Sequence, residues 1–238
     1  MSLYSHIAEE ISAMIREGAY KPGDLLPTEM ELSKTYNVSR PTVRAAMQQL
    51  AVDGYIRRVK GSGTFVAKPK LEQSSMRFIE SYNQEMKSKG LIPKTEVLEL
   101  RRVAAPPVPA EKLGIAVGAP VIKLKRLRFA RPDFDDLPVL LTTAYIPMET
   151  APHLLELDLE NVSLYDTLEE IGIQIHRVRR EIEIKLLHGK TARLLAAEEN
   201  SPAHFVTSTG FDGDGRIIEY AESFYPADRN KFIITLNR

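Results

Sequence analysis

The sequence predicts an α+β chain in two parts: a small helical head carrying a β-hairpin, then a larger antiparallel sheet domain. Three observations lead there. Residues 1–70 hold three helical stretches followed by two short strands around a glycine-rich turn. Beyond a polar stretch, apolar strands recur with short helical segments between them. The charge divides in the same place. The 238-residue chain is formally neutral, yet residues 1–70 carry ten basic and seven acidic side chains, and the remainder 22 and 25. A basic segment on a mildly acidic body implies that only the N-terminal part meets a polyanion.

Composition narrows the class. Apolar residues make up 43% of the chain, enough for real cores. Cysteine is absent, which excludes disulfides and thiolate chemistry and suits a reducing compartment. The N-terminus has no basic region leading into an apolar run, and no apolar run approaches the ~20 residues of a membrane span. A soluble cytoplasmic protein with no membrane partner is expected.

The head is taken first. Tyr4 to Glu17 places Ile7, Ile11, Met14 and Ile15 on one helical face, and Gly18 stops it. Lys21-Pro22-Gly23-Asp24 is a turn. Thr28 and Glu31 have capping-box spacing, so a second helix starts near Thr28 and ends near Tyr36. After Asn37-Val38, Ser39 is an N-cap and Pro41 sits in a first turn, where its missing N–H costs nothing. Val43, Ala46, Met47 and Leu50 form the buried stripe of this third helix, which ends at Gly54. Its outer arc holds Pro41, Thr42, Arg44, Ala45, Gln48 and Gln49, with no acidic residue. A guanidinium, two amides, a hydroxyl and small apolar groups are the set that reads base edges in a DNA major groove. A lone helix with such an arc would more often be a solvated face; its neighbours change that. Two helices across a tight turn form a helix-turn-helix. Tyr55–Val59 and Thr64–Ala67 form a hairpin around Lys60-Gly61-Ser62-Gly63, a wing whose glycines let it enter a groove. Arg57, Arg58 and Lys60 can neutralise phosphates. Residues 39–70 carry seven basic side chains against Asp53 alone.

These residues resemble a known family. Lys21-Pro22-Gly23-Asp24, Leu26-Pro27-Thr28-Glu29, Val38-Ser39-Arg40-Pro41-Thr42-Val43-Arg44, Asp53-Gly54-Tyr55-Ile56 and Gly61-Ser62-Gly63-Thr64-Phe65-Val66, at their fixed spacings, are similar to the winged helix-turn-helix of GntR-family bacterial transcription regulators. The likeness spans nearly all of residues 3–66. It implies two such heads binding palindromic double-stranded DNA as a homodimer, with Ser39, Arg40, Thr42 and Arg44 contacting bases and phosphates. Thr28, Pro41, Gln48, Arg57, Arg58, Lys60 and Ser62 complete the expected DNA-facing set, and Gly61 and Gly63 shape the wing. One position departs: many members have arginine where this chain has Met30, so more of the base reading is expected of Arg40, Arg44 and the wing.

Residues 1–68 are therefore the expected head, 69–75 a linker and 76–238 the second domain. In the latter, Ser81 to Lys89 looks helical, with Tyr82 and Met86 at i, i+4 spacing. Strands are expected over Thr95–Val103, Val121–Phe129, Val139–Ile146, Ile173–Leu187, Phe205–Phe211 and Arg216–Phe224, with Lys231–Leu236 closing the sheet. Short helices fall near Leu113, after Ser163 and over Thr191–Ala197. On Val121–Phe129, Ile122, Leu124, Arg126 and Arg128 share one face by strand alternation. Two guanidinium groups thus continue a face that begins apolar. Buried charge is costly unless answered, so they meet either internal acidic partners or a bound anion, for which arginine offers bidentate geometry. The helix start at Ser163 supplies free N–H groups, a second place for an anion.

This second part resembles the UTRA effector domain of the HutC-type branch of the same family, over roughly residues 76–238. That resemblance implies a chorismate-lyase-like fold used for sensing. Members that sense phosphosugars hold the phosphate through positions matching Ser81, Arg126, Arg128, Ser163 and Tyr165, and face the sugar through positions matching Glu219 and Tyr225. It favours the anion reading of the arginines. A further glutamate of such members falls at Thr142, which argues against an amino-sugar ligand. The implied function is a ligand-responsive repressor released by a small anionic effector, a sugar phosphate or related phosphorylated metabolite, and no enzyme. Three alternatives stand beside it: a lyase-like enzyme fused to a DNA-binding head, a sensor of a non-phosphorylated organic acid, and an architectural DNA-binding protein without a ligand.

The remaining chemistry is sparse. The five histidines are scattered without metal-ligand spacing. Asp212-Gly213-Asp214-Gly215 lacks the rest of a calcium loop and reads as a hairpin turn. No nucleophile signature surrounds a Ser/His/Asp set. Neither a metal nor a cofactor is expected.

Overall fold

The computed structural model describes residues 2–59, 61–67, 70–73, 82–131 and 137–234. They divide into two compact units, Met1–Pro69 and Lys70–Arg238.

The first unit contains α1 (Leu3–Arg16), α2 (Glu29–Thr35), α3 (Arg40–Val52), β1 (Ile56–Val59) and β2 (Gly63–Val66). The predicted helical stripes supply its core. Ile7 and Ile11 of α1, Leu32 of α2, and Val43, Met47 and Leu50 of α3 are buried together with Ile56 and Val66 of the hairpin. Asn37, at φ 50°, makes the turn between α2 and α3; asparagine tolerates this left-handed conformation as a single residue. β1 and β2 pair antiparallel, with Ile56 opposite Val66 and Val59 opposite Gly63. Gly63 has φ +123°, and a Cβ there would stand 2.6 Å from Leu25 Cδ1. The exposed Leu25 side chain could shift aside, but the left-handed φ at this end of the wing is one that glycine adopts without strain.

The second unit runs β3 (Leu71–Gln73), α4 (Tyr82–Ser88), β4 (Ile92–Ala104), α5 (Pro107–Leu113), β5 (Pro120–Arg131) and β6 (Pro138–Pro147). A 3-10 turn (Pro152–Glu156), α6 (Leu164–Glu170), β7 (Arg177–Leu186), α7 (Gly189–Leu194), β8 (Pro202–Phe211), β9 (Ile217–Pro226) and β10 (Asn230–Phe232) follow. Six strands form one antiparallel sheet in the order β4-β5-β6-β9-β8-β7. One face of it packs against α6 and the 3-10 turn through Ile122, Leu124, Ala144, Ile146, Leu154, Leu164 and Leu168. Further along, Leu140 and Ala130 pack with Met86 of α4. The opposite face meets α7 through Leu127, Leu141 and Ala192, and α5 through Ala110, Tyr145 and Tyr220.

Three sequence expectations are corrected here. Residues 71–73, expected within the linker, form β3, which pairs parallel with β10. The C-terminal strand is therefore not the closing strand of the large sheet; it builds a separate two-stranded one. The reason is a buried polar network with no local signature. Asn230 Nδ2 donates to Val139 O (2.9 Å) and Pro226 O (3.0 Å), and its Oδ1 accepts from Gln73 Nε2 at 2.8 Å. Arg229 Nη1 donates to Pro138 O (2.6 Å) and Leu195 O (2.8 Å). The strand expected from Ile173 also starts later, at Arg177, because Ile173 and Ile175 turn into the α6 core instead of pairing.

Replacing Asn230 with leucine, of similar shape, removes the donor to Val139 O and the acceptor of Gln73 Nε2, while Pro226 O keeps its bond from Arg229 N at 3.2 Å. Asn230→Leu is expected to cost about 3 kcal/mol in urea unfolding; a loss below about 1 kcal/mol would show that water satisfies those groups instead.

Candidate functional site

Two regions gather the residues singled out in the sequence, one in each unit.

In the first unit the predicted caps form as hydrogen bonds. Thr28 Oγ1 accepts from Glu31 N at 3.3 Å, and Glu31 Oε2 accepts from Thr28 N at 2.8 Å, a reciprocal capping box. Those bonds hold the Glu31 carboxyl below its ordinary pKa. Ser39 Oγ accepts from Thr42 N at 3.4 Å and lies 2.8 Å from Thr42 Oγ1. Arg40, Pro41, Arg44 and Gln48 are exposed on α3, and Thr42 is half-buried. Arg57, Arg58, Gly61, Ser62 and Gly63 are exposed on the wing, with Arg57 over the Phe65 ring at 5.4 Å. Lys60 lies outside the described residues.

A residue quoted above only within a motif joins these parts. Glu29, the first residue of α2, accepts from Arg44 Nε at 3.2 Å through Oε2, while its Oε1 is 3.4 Å from Arg58 Nη2. One carboxylate thus bridges the third helix and the wing. The pairing engages Arg44 through Nε and leaves both terminal amino groups for another acceptor. Beside it Met30 is 52% exposed, an apolar side chain at the surface next to this charge cluster.

In the second unit a cavity of ≈ 100 Å³ opens on the sheet face between α4 and α6. Register explains its floor. Arg126 on β5 lies opposite Thr142 on β6, and Thr142 opposite Ser223 on β9. Two residues back along β9, Ala221 lies opposite Ser208 on β8, which lies opposite Arg180 on β7. Arg126, Arg128, Thr142, Ser163, Tyr165, Glu219 and Tyr225 all line this cavity. Ser81 lies outside the described residues. Tyr82, Asn83, Arg180, Ser208 and Ser223 join them without having been singled out as site residues.

The cavity wall is built by an asparagine pair. Asn161, at φ 56°, accepts from Thr95 N through Oδ1 at 3.0 Å, and its carbonyl accepts from Asn83 Nδ2 at 2.7 Å. This fixes the loop leading into α6, so that Val162 O receives Arg126 Nη1 at 3.1 Å. Ser163 then caps α6 by accepting from Asp166 N at 3.2 Å. Tyr165 OH donates to Glu219 Oε2 at 2.7 Å, and Thr142 and Ser223 share a hydroxyl contact of 3.2 Å.

The electrostatics are one-sided. Arg126 is only 3% exposed. Burial, then repulsion from Arg128, holds its guanidinium well below the usual value, and Glu219 pulls the other way. Burial likewise lowers Arg128, whose guanidinium sits 4.9 Å over the Tyr82 ring. Neither arginine pairs with a carboxylate among the described residues, and Arg128 Nε is buried without a hydrogen-bond partner. The internal ion pair that the strand pattern left open is absent there. Glu219, the cavity's one carboxylate among these residues, is raised by burial while Tyr165 and the arginines pull it down. Burial and Glu219 push Tyr165 well above its ordinary value, so it stays a proton donor.

Comparison with known proteins places both regions. The model of the "Bacterial regulatory proteins, gntR family" matches residues 3–66, and that of the UTRA domain residues 88–231. The chain belongs to the GntR family and carries a UTRA domain. It is a DNA-binding transcription regulator, and the family and its relatives are regulators, not enzymes. The HTH-type transcriptional repressor NagR of Bacillus subtilis is 31% identical, covering 99% of this chain and 95% of that one. The mannosyl-D-glycerate transport/metabolism system repressor MngR of Escherichia coli is 30% identical over 99% of this chain and 96% of its own length. The crystal structure of PhnF from Mycobacterium smegmatis matches with a TM-score of 0.67 at 31% identity, covering 97% of this chain and 98% of that one. No helix among the described residues is long and apolar enough to cross a membrane, and none of their acidic and histidine side chains cluster as a metal site.

In this regulator the Glu29 bridge yields a direct expectation. Glu29→Gln should lower the ratio of specific to non-specific DNA affinity several-fold, while exposed ion pairs of this kind change unfolding stability by less than about 1 kcal/mol. Anisotropy titrations with specific and random duplexes check it; an unchanged ratio would leave the bridge without a role in reading.

Proposed function

We propose that this regulator is a cytoplasmic repressor that binds a palindromic operator as a homodimer and is released by a small anionic effector, a sugar phosphate or a related phosphorylated metabolite. The observation that carries the effector half is the pair of buried guanidiniums, Arg126 and Arg128, in a polar cavity without a carboxylate partner among the described residues. Buried charge left unanswered by the protein is costly, and arginine suits an oxyanion with several acceptor oxygens. Ser163 and Tyr165 supply further hydroxyl donors, and Glu219 faces the same space for a hydroxyl of the ligand. Thr142 and Ser223 offer neutral groups, so an amino sugar gains no carboxylate there. The name of the relative MngR, which ties that protein to a mannosyl-D-glycerate system, supports a carbohydrate-like effector.

On the DNA side, Arg40, Thr42, Arg44 and Gln48 face bases, and Ser39, with the wing from Arg57 to Gly63, faces the backbone. Two copies place their third helices in successive major grooves about one helical turn apart. The effector shifts DNA affinity only by binding the DNA-free arrangement better than the DNA-bound one. A non-phosphorylated organic acid is the second reading, because the same guanidinium pair also accepts carboxylates.

The test selects a duplex from random sequence and titrates it against the dimer by anisotropy. Arg44→Ala should lose specific binding, and a sugar phosphate, but not its dephosphorylated form, should release the wild type. Unchanged binding by Arg44→Ala would remove the helix assignment. Release by the dephosphorylated sugar, or by simple dicarboxylic acids alone, would replace the phosphate by another group.

A further inference from the structure

We infer that the Tyr82 hydroxyl is an effector-binding group, donating to an oxyanion oxygen held by Arg128. This rests on the reading of the cavity as an effector site and extends it to a residue that sequence patterning assigns to the core. Tyr82 opens α4 at the i, i+4 position from Met86; Met86 is fully buried, whereas the Tyr82 side chain lines the cavity. Its ring lies beneath the Arg128 guanidinium, 4.9 Å from Cζ to centroid. Its hydroxyl oxygen is buried and has no hydrogen-bond partner among the described residues, and Arg128 Nε has none there either.

Two buried, unpartnered polar atoms on stacked side chains at one cavity wall are unusual, because native structures satisfy nearly all such groups. Neither orphan serves the fold. A phenylalanine would fill the same space and keep the cation–π stack without burying a hydroxyl. Both atoms are donors, one cationic and one neutral, so a group rich in lone pairs answers both. A phosphoryl or carboxylate oxygen meets that requirement; an ammonium does not. Burial keeps the phenol protonated at neutral pH, against the pull of Arg128, so it remains a donor when the anion arrives.

The experiment uses the full chain and inorganic phosphate as the probe. Wild type, Tyr82→Phe and Tyr82→Leu are compared by thermal unfolding and by calorimetric titration. Tyr82→Phe should weaken phosphate binding about tenfold, the size of one charge-assisted hydrogen bond. Without phosphate, its midpoint should equal or exceed that of wild type, because an unsatisfied hydroxyl has been removed. Tyr82→Leu, which also loses the stack under Arg128, should weaken phosphate binding further. Equal phosphate binding by wild type and Tyr82→Phe, or a lower ligand-free midpoint for Tyr82→Phe, would overturn the assignment of Tyr82 alone. No phosphate binding by wild type would overturn the oxyanion reading of the cavity itself, and this inference with it.

Discussion

Two guanidinium groups on one strand face, taken out of water without a carboxylate paired to either among the described residues, are the constraint around which the effector domain is arranged. The apolar half of that face, Ile122 and Leu124, anchors α6, and Leu140 further along the sheet meets α4. Between the two helices the sheet turns polar at Arg126, Thr142 and Ser223. The charge is tolerated through partial compensation. Val162 O takes one hydrogen bond from Arg126, and the Tyr82 ring lies under Arg128. Neither contact neutralises a positive charge, and the single carboxylate Glu219 among the described lining residues stands against Arg126, Arg128 and Arg180, so the cavity keeps an excess of positive charge that a small anion can answer.

The parts that hold this demand in place are small and specific. Asn161 in a left-handed conformation ties the loop before α6 to β4 and α4, and so sets the carbonyl that Arg126 meets. The DNA-binding unit uses a comparable economy. Glu29 connects Arg44 on the third helix with Arg58 on the wing. In both units a single side chain at an element boundary coordinates groups that lie far apart in sequence. Their neighbours have strong local signals of their own: a capping box at Thr28 and an N-cap at Ser163.

Local signals made much of the molecule legible. The caps at Thr28 and Ser39, the stripe Val43-Ala46-Met47-Leu50 and the Arg126/Arg128 alternation are short-range patterns, and they correspond to elements of the fold. What stayed hidden depends on contacts distant in sequence. Leu71–Gln73 looked like linker because its pairing partner is some 160 residues away and the tie is a buried asparagine. Arg180 and Ser208 reach the cavity only through the β7–β8–β9 register. On β7 alternation sets Arg180 on the face of Val178, Ile182, Ile184 and Leu186, but the last three are exposed, so that face does not read as a buried one and its arginine does not stand out as a cavity residue. Tyr82 shared its helical spacing with a core methionine, and only the cavity distinguishes its hydroxyl from packing. Glu29 was read as part of a motif, while its contacts to two basic residues on other elements are tertiary.

The most direct test concerns the ligand-free protein. If the two guanidiniums are buried for a ligand and not for the fold, apolar side chains of similar length should replace them without loss. The unfolding free energy of Arg126→Met/Arg128→Met, measured by urea denaturation in a buffer without phosphate or carboxylates, is predicted to equal or exceed that of wild type. A loss of more than about 3 kcal/mol, the penalty expected when a paired buried charge is broken, would mean that the arginines are held by internal partners and that the cavity is not an anion site.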